Sequence, residues 1–164
     1  MINELIKTKN NKIIPKWFLR QSGRHIKEYF TIRNKHKNFI DFCLDENSVV
    51  NATMLPLKYY NVDAAILFSD ILLLPYFLGQ EVTFKKGVGP ILKEIEISET
   101  YLKTEINFDD LKPIKNAIVK IKSIIPPKKD LIGFCGAPWT LSCYMLEGGS
   151  SKDYVKTRTF LWNE

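Results

Sequence analysis

Arg20 and Arg24 flank a short, glycine-containing turn at the end of the apolar run Trp17-Phe18-Leu19, in the segment WFLRQSGR. A guanidinium presents its N–H donors in a planar fork that matches a carboxylate or phosphate, so two of them thrown to one rim by such a turn make an anion site. Taken alone, the pair has an ordinary alternative: a strand-to-helix corner whose arginines are solvated or paired to a local acid such as Glu28.

Two further segments carry groups able to do chemistry. Asp63 to Pro75 reads DAAILFSDILLLP. A carboxylate at Asp70, between apolar runs on both sides, is poorly hydrated and costly to ionise unless hydrogen bonds or a cation support it. The plain alternative is that Ser69-Asp70 caps a helix beginning at Ile71. Leu131 to Ser151 reads LIGFCGAPWTLSCYMLEGGSS. It places the phenol of Tyr144 in the second turn of a helix near the same rim, and there the alternative is a packed aromatic with a satisfied hydroxyl.

The elements that must position these groups follow from periodicity. Trp17 to Leu19, Ala64 to Phe68 and Leu131 to Cys135 are apolar without alternation, as expected of parallel strands covered on both faces. Ser48 to Tyr60 reads as a helix that Pro56 kinks or ends. Val82 to Phe84 reads as a short strand, with Gly87 and Gly89-Pro90 as turns. Leu111, Ile114, Ile118, Ile121 and Ile125 recur at helical spacing, predicting a helix over Asp109 to Ile125 that Asp109 caps and Pro126-Pro127 stops. Trp139 to Leu146 is a helix closed by Gly148-Gly149. Strands alternating with helices require a parallel α/β arrangement. No internal repeat or linker interrupts it.

Composition narrows the function classes. Lys plus Arg number 24 against 18 Asp plus Glu, a net charge of +6 that draws anionic substrates. The lysines cluster in exposed-looking stretches, and no zinc spacing, recognition helix or RNA-binding aromatic motif supports nucleic-acid binding. Cys43, Cys135 and Cys143 are odd in number and lack C-x-x-C spacing, which argues against disulfides and structural zinc and for a reducing compartment. MINELIKTKNNK has no signal-peptide core, and no stretch reaches the ~18 apolar residues of a membrane span. A cytoplasmic protein with no membrane partner is expected. His25 and His36 read as surface residues.

Together the three segments resemble the uroporphyrinogen decarboxylase family. Its arginine motif runs Trp-Phe-Met-Arg-Gln-Ala-Gly-Arg, with Leu19 and Ser22 standing here for Met and Ala. Its Phe-Ser-Asp-Ile-Leu motif is unaltered at Phe68 to Leu72, and Gly136 to Thr140, Tyr144-Met145 and Glu147 to Lys152 also match. The resemblance implies a cofactor-free, metal-free carboxy-lyase of porphyrin and haem biosynthesis that converts the four acetates of uroporphyrinogen III to methyl groups. It implies that Arg20 and Arg24 hold substrate carboxylates, with the backbone of Gln21, Ser22 and Gly23 lining the same wall. Asp70 would accept hydrogen bonds from the pyrrole N–H groups at the centre of the macrocycle, and Tyr144 would sit beside the reacting acetate. Asp70, Arg24 and Tyr144 are thus the catalytic candidates. His25-Ile26-Lys27 and the stretch Leu55 to Tyr60 depart from the family pattern without touching these residues.

The family adopts a (β/α)₈ TIM barrel of ~250 residues or more, so 164 residues supply about half of one. The resemblance therefore implies a flexible segment over residues 1–12 and the N-terminal half of a barrel over 13–164. No residue here stands for the serine or threonine and the histidine that the family draws from later strands. A half barrel has raw strand edges, which invites pairing with a complementary half or, as in this homodimeric family, with a second subunit. Weak activity of the chain alone is expected. The alternative is a non-catalytic module that binds a porphyrinogen or pairs with a full-length subunit. Cobalamin-linked methyltransferases share the wider superfamily, but they are not expected to carry this arginine motif.

Overall fold

A computed structural model describes residues 2–8, 14–19, 21–95, 97–98, 101 and 104–163. They divide into two compact units. The first comprises residues 1–37, 41–69 and 112–134, and the second residues 38–40, 70–111 and 135–164.

The first unit is organised on two parallel strands, β1 (Ala64–Ile66) and β4 (Asp130–Ile132), with Ala64, Ala65 and Ile66 opposite Asp130, Leu131 and Ile132. Asp130 N–H donates to the Asp63 carbonyl at 3.0 Å and Leu67 N–H to the Ile132 carbonyl at 2.9 Å, extending the ladder at both ends. Helices α4 (Glu46–Met54) and α7 (Lys112–Ile124) cover this pair. Val49, Val50, Leu67, Ala117 and Ile121 form the buried centre, ringed by Met54, Ile114, Ile118, Ile125 and Leu131. Four of the five isoleucine and leucine positions that predicted α7 therefore face this core. The exposed face of α7 carries Lys115, Lys120 and Lys122, as an amphipathic helix requires.

Local chemistry sets the helix ends. Asp45 opens α4 by accepting the Ser48 amide on its side chain at 2.7 Å. Leu55 stays helical, and Pro56 then starts a separate turn, α5 (Pro56–Tyr59), because proline has no N–H to continue the first ladder. The expected cap of α7 is displaced. Asp109 lies inside a 3₁₀ turn over Phe108–Leu111, and Asn107 receives the Asp109 amide at 3.0 Å instead.

Two expectations for the first unit, the Trp17 to Leu19 strand and the surface placement of His36, are corrected. Trp17 to Leu19 is not a buried strand: residues 14–18 are irregular, and Trp17, Phe18 and Leu19 are 43%, 61% and 82% exposed. Lys16 and Asp63 do exchange hydrogen bonds at 2.8 Å, but the next acceptor on β1, the Ala64 carbonyl, is taken by the Gln21 side chain, so no ladder continues. Within the stretch 1–12 expected to be flexible, residues 2–8 form helix α1 (Ile2–Thr8). The Ile2 backbone N donates to the Asp130 carboxylate, and Ile2 and Ile6, one helical turn apart, turn toward β4. Residues 1 and 9–12 lie outside the described residues. His25 is exposed as expected, but His36 is half-buried, stacked on Phe42 with Nε2 2.8 Å from the buried Ser48 hydroxyl.

The second unit holds helix α6 (Leu73–Phe77) and an antiparallel hairpin of β2 (Val82–Lys85) and β3 (Gly89–Leu92). Gly87 turns the hairpin at φ +82°, whereas Gly89-Pro90, expected in the turn, pair with Lys85 and Phe84. Helix α8 (Pro138–Glu147) starts on a proline and ends on Gly148 at φ +77°, whose N–H returns to the Tyr144 carbonyl at 3.1 Å. Leu92 N–H bonds the Gly148 carbonyl at 2.9 Å, and the amide of the buried Gln80 reaches the Lys93 and Met145 carbonyls at 2.7 and 3.1 Å, fixing the hairpin to α8. Glu147 accepts both the amide and the hydroxyl of the buried Thr157 at 2.9 Å, docking α9 (Val155–Asn163).

Two parallel strands are present among the described residues, where the apolar runs predicted three. No described helix is long and apolar enough to cross a membrane. Cys43 and Cys143 are buried and Cys135 is exposed, and none of the three is in a disulfide.

Candidate active site

The arginine motif lies in the first unit. Arg20 falls outside the described residues. Gln21 is buried, and its side chain is fully committed: Oε1 accepts the Phe18 amide at 2.9 Å and Nε2 donates to the Ala64 carbonyl at 3.0 Å. The turn closes when Ile26 N–H donates to the Gly23 carbonyl at 3.0 Å. Ser22 and Gly23 are half-buried, and the Ser22 hydroxyl has no hydrogen-bond partner among the described residues. Arg24 is exposed. The side chain of Gln21 thus serves as scaffold, leaving Arg24 at the surface.

Asp70 and Tyr144 lie in the second unit. Asp70 is half-buried rather than sequestered. Its Oδ1 accepts the Leu72 amide at 2.8 Å and its carbonyl the Leu73 amide at 3.3 Å. This is an Asx turn that leads into α6, whose own cap, Leu72, uses no side chain. The carboxylate is therefore oriented by the backbone two residues on, and the apolar neighbours Leu72 and Leu73 are buried around it.

Tyr144 is half-buried and lines a cleft of about 150 Å³ together with Trp139, Thr140, Cys143, Gly149, Ser150, Ser151 and Tyr154. Asp70 and the helix bearing Tyr144 are structurally linked, because a Cβ at Gly136 would lie 3.3 Å from that of Ile71, the residue after Asp70. Close approach of the α8 entry to the Asp70 segment is what the glycine permits.

Sequence reasoning did not single out the hydroxyl side of this cleft. Tyr154 adopts φ +50°, uncommon outside glycine and asparagine, and its amide donates to the Ser151 hydroxyl at 3.1 Å. The signal was present in the Ser150-Ser151 pair after Gly148-Gly149, but a polar pair after two glycines reads equally as a plain loop. Phe134, two residues beyond β4, is 45% exposed, an aromatic left uncovered at the strand's carboxyl end. Among the described residues, no three His, Cys, Asp or Glu side chains converge to hold a metal ion.

A family model described as uroporphyrinogen decarboxylase (URO-D) matches residues 2–164. The uroporphyrinogen decarboxylase of Rickettsia felis is 46% identical over 156 residues, 94% of this chain and 45% of its own. That of Rickettsia massiliae is 45% identical over 154 residues, 93% of this chain and 44% of its own. That of Rickettsia akari is 44% identical over 163 residues, 98% and 48%. The chain spans about half the length of the curated relatives it matches. Among solved structures, a methyltransferase from Methanosarcina mazei superposes with a TM-score of 0.62 at 14% identity, covering 97% of this chain and 46% of that one, a likeness of fold.

Proposed function

The chain belongs to the uroporphyrinogen decarboxylase family, and from that premise we propose that it supplies the N-terminal half of a (β/α)₈ barrel that decarboxylates uroporphyrinogen III to coproporphyrinogen III. The observation that carries the reading is the unbroken family match over residues 2–164, with the arginine, aspartate and tyrosine motifs in order. A cytoplasmic location and pairing, either with the complementary half or between subunits, belong to the same proposal.

In this reading the residues divide the work by chemistry. Arg20 and Arg24 grip substrate carboxylates bidentately, and the backbone of Gln21, Ser22 and Gly23 shapes the wall between them. Protonation of the pyrrole α-carbon next to the carbon bearing the acetate makes the ring cationic and leaves the acetate-bearing carbon conjugated with it. Loss of carbon dioxide returns the bonding electron pair to the ring as an exocyclic C=CH2 bond; a proton added to that CH2 and the loss of the one on the α-carbon restore the pyrrole with a methyl group, one proton consumed per acetate. The Asp70 carboxylate, facing the pyrrole N–H groups, stabilises the ring cation, and electrostatic stabilisation of this kind is usually the largest catalytic contribution. Tyr144 orders the reacting acetate. Arg24 becomes a proton donor only where its environment overcomes a very high guanidinium pKa.

The test joins residues 1–164 to the remainder of the Rickettsia felis relative and measures carbon dioxide and coproporphyrinogen release in metal-free buffer. Turnover is expected from the joined protein and at most a trace from the 164-residue polypeptide alone. A folded joined protein that binds uroporphyrinogen without turning it over would replace the enzyme reading with that of a porphyrinogen-binding module.

A further inference from the structure

The cleft beside Tyr144 is lined by more hydroxyl groups than the chain itself uses. Thr140 and Tyr144 contribute from α8, and Ser150, Ser151 and Tyr154 from the loop that follows, together with the exposed indole of Trp139. Among the described residues none of these five hydroxyls donates to a protein group. Ser151 accepts the Tyr154 amide at 3.1 Å, which fixes its oxygen and leaves its O–H proton to be given elsewhere. None of the residues lining the cleft is charged.

The loop that carries these groups is anchored at both ends. At one end the Gly148 carbonyl accepts the Leu92 amide at 2.9 Å and Gly149 forms an antiparallel bridge with Ile91 of β3. At the other the Tyr154 carbonyl accepts the Arg158 amide at 2.9 Å, and Glu147 holds Thr157 one turn into α9. Between these anchors Tyr154 is kept at φ +50°, a conformation that a tyrosine adopts only where its surroundings impose it and that concentrates at ligand sites. Donors without a protein acceptor, on a loop held in this way, are arranged for the acceptor of a ligand.

We propose that this cleft receives the carboxylate of the acetate undergoing decarboxylation, with the Ser151 hydroxyl, fixed by the Tyr154 amide, donating to it. The inference rests on the decarboxylase reading above and deepens it. A volume of about 150 Å³ admits one short acid side chain and excludes the macrocycle that bears it. Charge decides which acid belongs there. As carbon dioxide leaves, the negative charge of the reacting carboxylate flows into the ring, so a cation against it would stabilise the starting state more than the transition state and raise the barrier. Neutral hydroxyls instead fix the direction of the group, holding the breaking C–C bond perpendicular to the ring plane without neutralising it. Carboxylates that never react carry no such constraint, and bidentate cationic partners simply add affinity for them.

The experiment uses residues 1–164 joined to the remainder of the Rickettsia felis relative. It reads the first carbon dioxide released in a single turnover, the KM for uroporphyrinogen III, and inhibition by coproporphyrinogen III, which keeps the propionates and lacks the acetates. Ser151→Ala should slow release on the order of tenfold, with product inhibition and melting temperature little changed, and Ser151→Thr, which keeps a hydroxyl, should restore most of it. Ser150→Lys, at an exposed position, should lower the KM several-fold and yet slow release on the order of tenfold, again without moving product inhibition. Should Ser151→Ala fail to fold, Ser150→Lys decides alone. Unchanged release from Ser151→Ala, or release from Ser150→Lys at or above the wild-type rate, would overturn the proposal. So would altered product inhibition in a folded variant, which would make the cleft a propionate subsite. Those results, obtained with an active wild-type joined protein, remove this assignment alone; a wild-type joined protein without turnover removes the decarboxylase reading and the assignment together.

Discussion

The Gln21 side-chain amide donates to the Ala64 carbonyl at 3.0 Å, tying the arginine-bearing turn to the first residue of β1. This single bond sits where a ladder between residues 14–18 and β1 would otherwise continue. The position of Arg24 therefore depends on a buried amide rather than on a strand.

Gln21→Ala leaves the Phe18 amide and the Ala64 carbonyl without partners, and should lower the unfolding free energy by about 1–3 kcal/mol in urea titrations of the first unit's signal. Gln21→Glu keeps the acceptor but sets a carboxylate against a carbonyl in a buried site. Its folded pKa is thereby raised, so its deficit relative to wild type should be largest at pH 7 and shrink as acid protonates it. A deficit that did not change with pH would mean the side chain had left the site.

Asp70→Asn tests charge with little change of shape, because an asparagine oxygen can still accept the Leu72 amide. In the joined full-length protein, kcat should fall on the order of 10²–10³-fold while the melting temperature holds. An unchanged kcat would remove Asp70 from the chemistry and leave it as a turn former.

Arg24 is exposed and contributes little packing, so Arg24→Ala should leave thermal stability unchanged and raise KM several-fold in the joined protein, with a weaker salt dependence of kcat/KM. Loss of stability instead would assign Arg24 to the scaffold.

Much of this architecture was legible because it rests on local rules. Helix α7 follows from isoleucines at helical spacing ended by Pro126-Pro127, the break at Pro56 from a missing N–H, and the end of α8 from Gly148. What the residues hid depended on long-range pairing. An apolar run such as Trp17 to Leu19 looks like a strand wherever its partners are, and only the diversion of the Ala64 carbonyl to Gln21 shows that no ladder forms. His36 was missed for the same reason, since its partners Phe42 and Ser48 meet it through folding of the intervening chain. The candidate site residues were read from their type and motif alone, which says nothing of local geometry: the Asx turn that orients Asp70 and the hydroxyl side of the Tyr144 cleft depend on how the chain folds back on itself.

Asp45 carries a pH dependence that can be read from its surroundings. Burial pushes its carboxyl up, but hydrogen bonds from the Ser48 hydroxyl and amide, with His36 and Lys35 nearby, outweigh that and hold it below its ordinary value of 3.8. A depressed folded pKa contributes stability that is present above the unfolded value and lost as pH falls through the folded one. The stability advantage of wild type over Asp45→Asn should therefore be constant near neutrality, begin to fall as pH drops below about 4, and be lost once pH passes through the depressed folded pKa. Asp45→Ala should cost about 1 kcal/mol at neutral pH through loss of the α4 cap. An Asp45→Asn protein whose deficit persisted at pH 2 would show that the charge is not what matters.

At Gly136 the α8 entry runs close to the Asp70 segment. A Cβ there would stand 2.7 Å from Cδ2 and 2.8 Å from Cγ of Leu141, which is itself buried, as well as 3.3 Å from the Cβ of Ile71. Leu141 is buried and the Ile71 Cβ is fixed to its backbone, so Gly136→Ala should destabilise the protein by about 1–3 kcal/mol. Leu141→Ala alone should cost about 2–5 kcal/mol by leaving a void. Combined, the added methyl fills part of that void, so the double variant should be more stable than the sum of the two single losses by about 0.5–3 kcal/mol in a thermodynamic cycle. Strict additivity would mean that the Gly136 methyl is resisted by Ile71 instead, and that the strain falls on the turn holding Asp70.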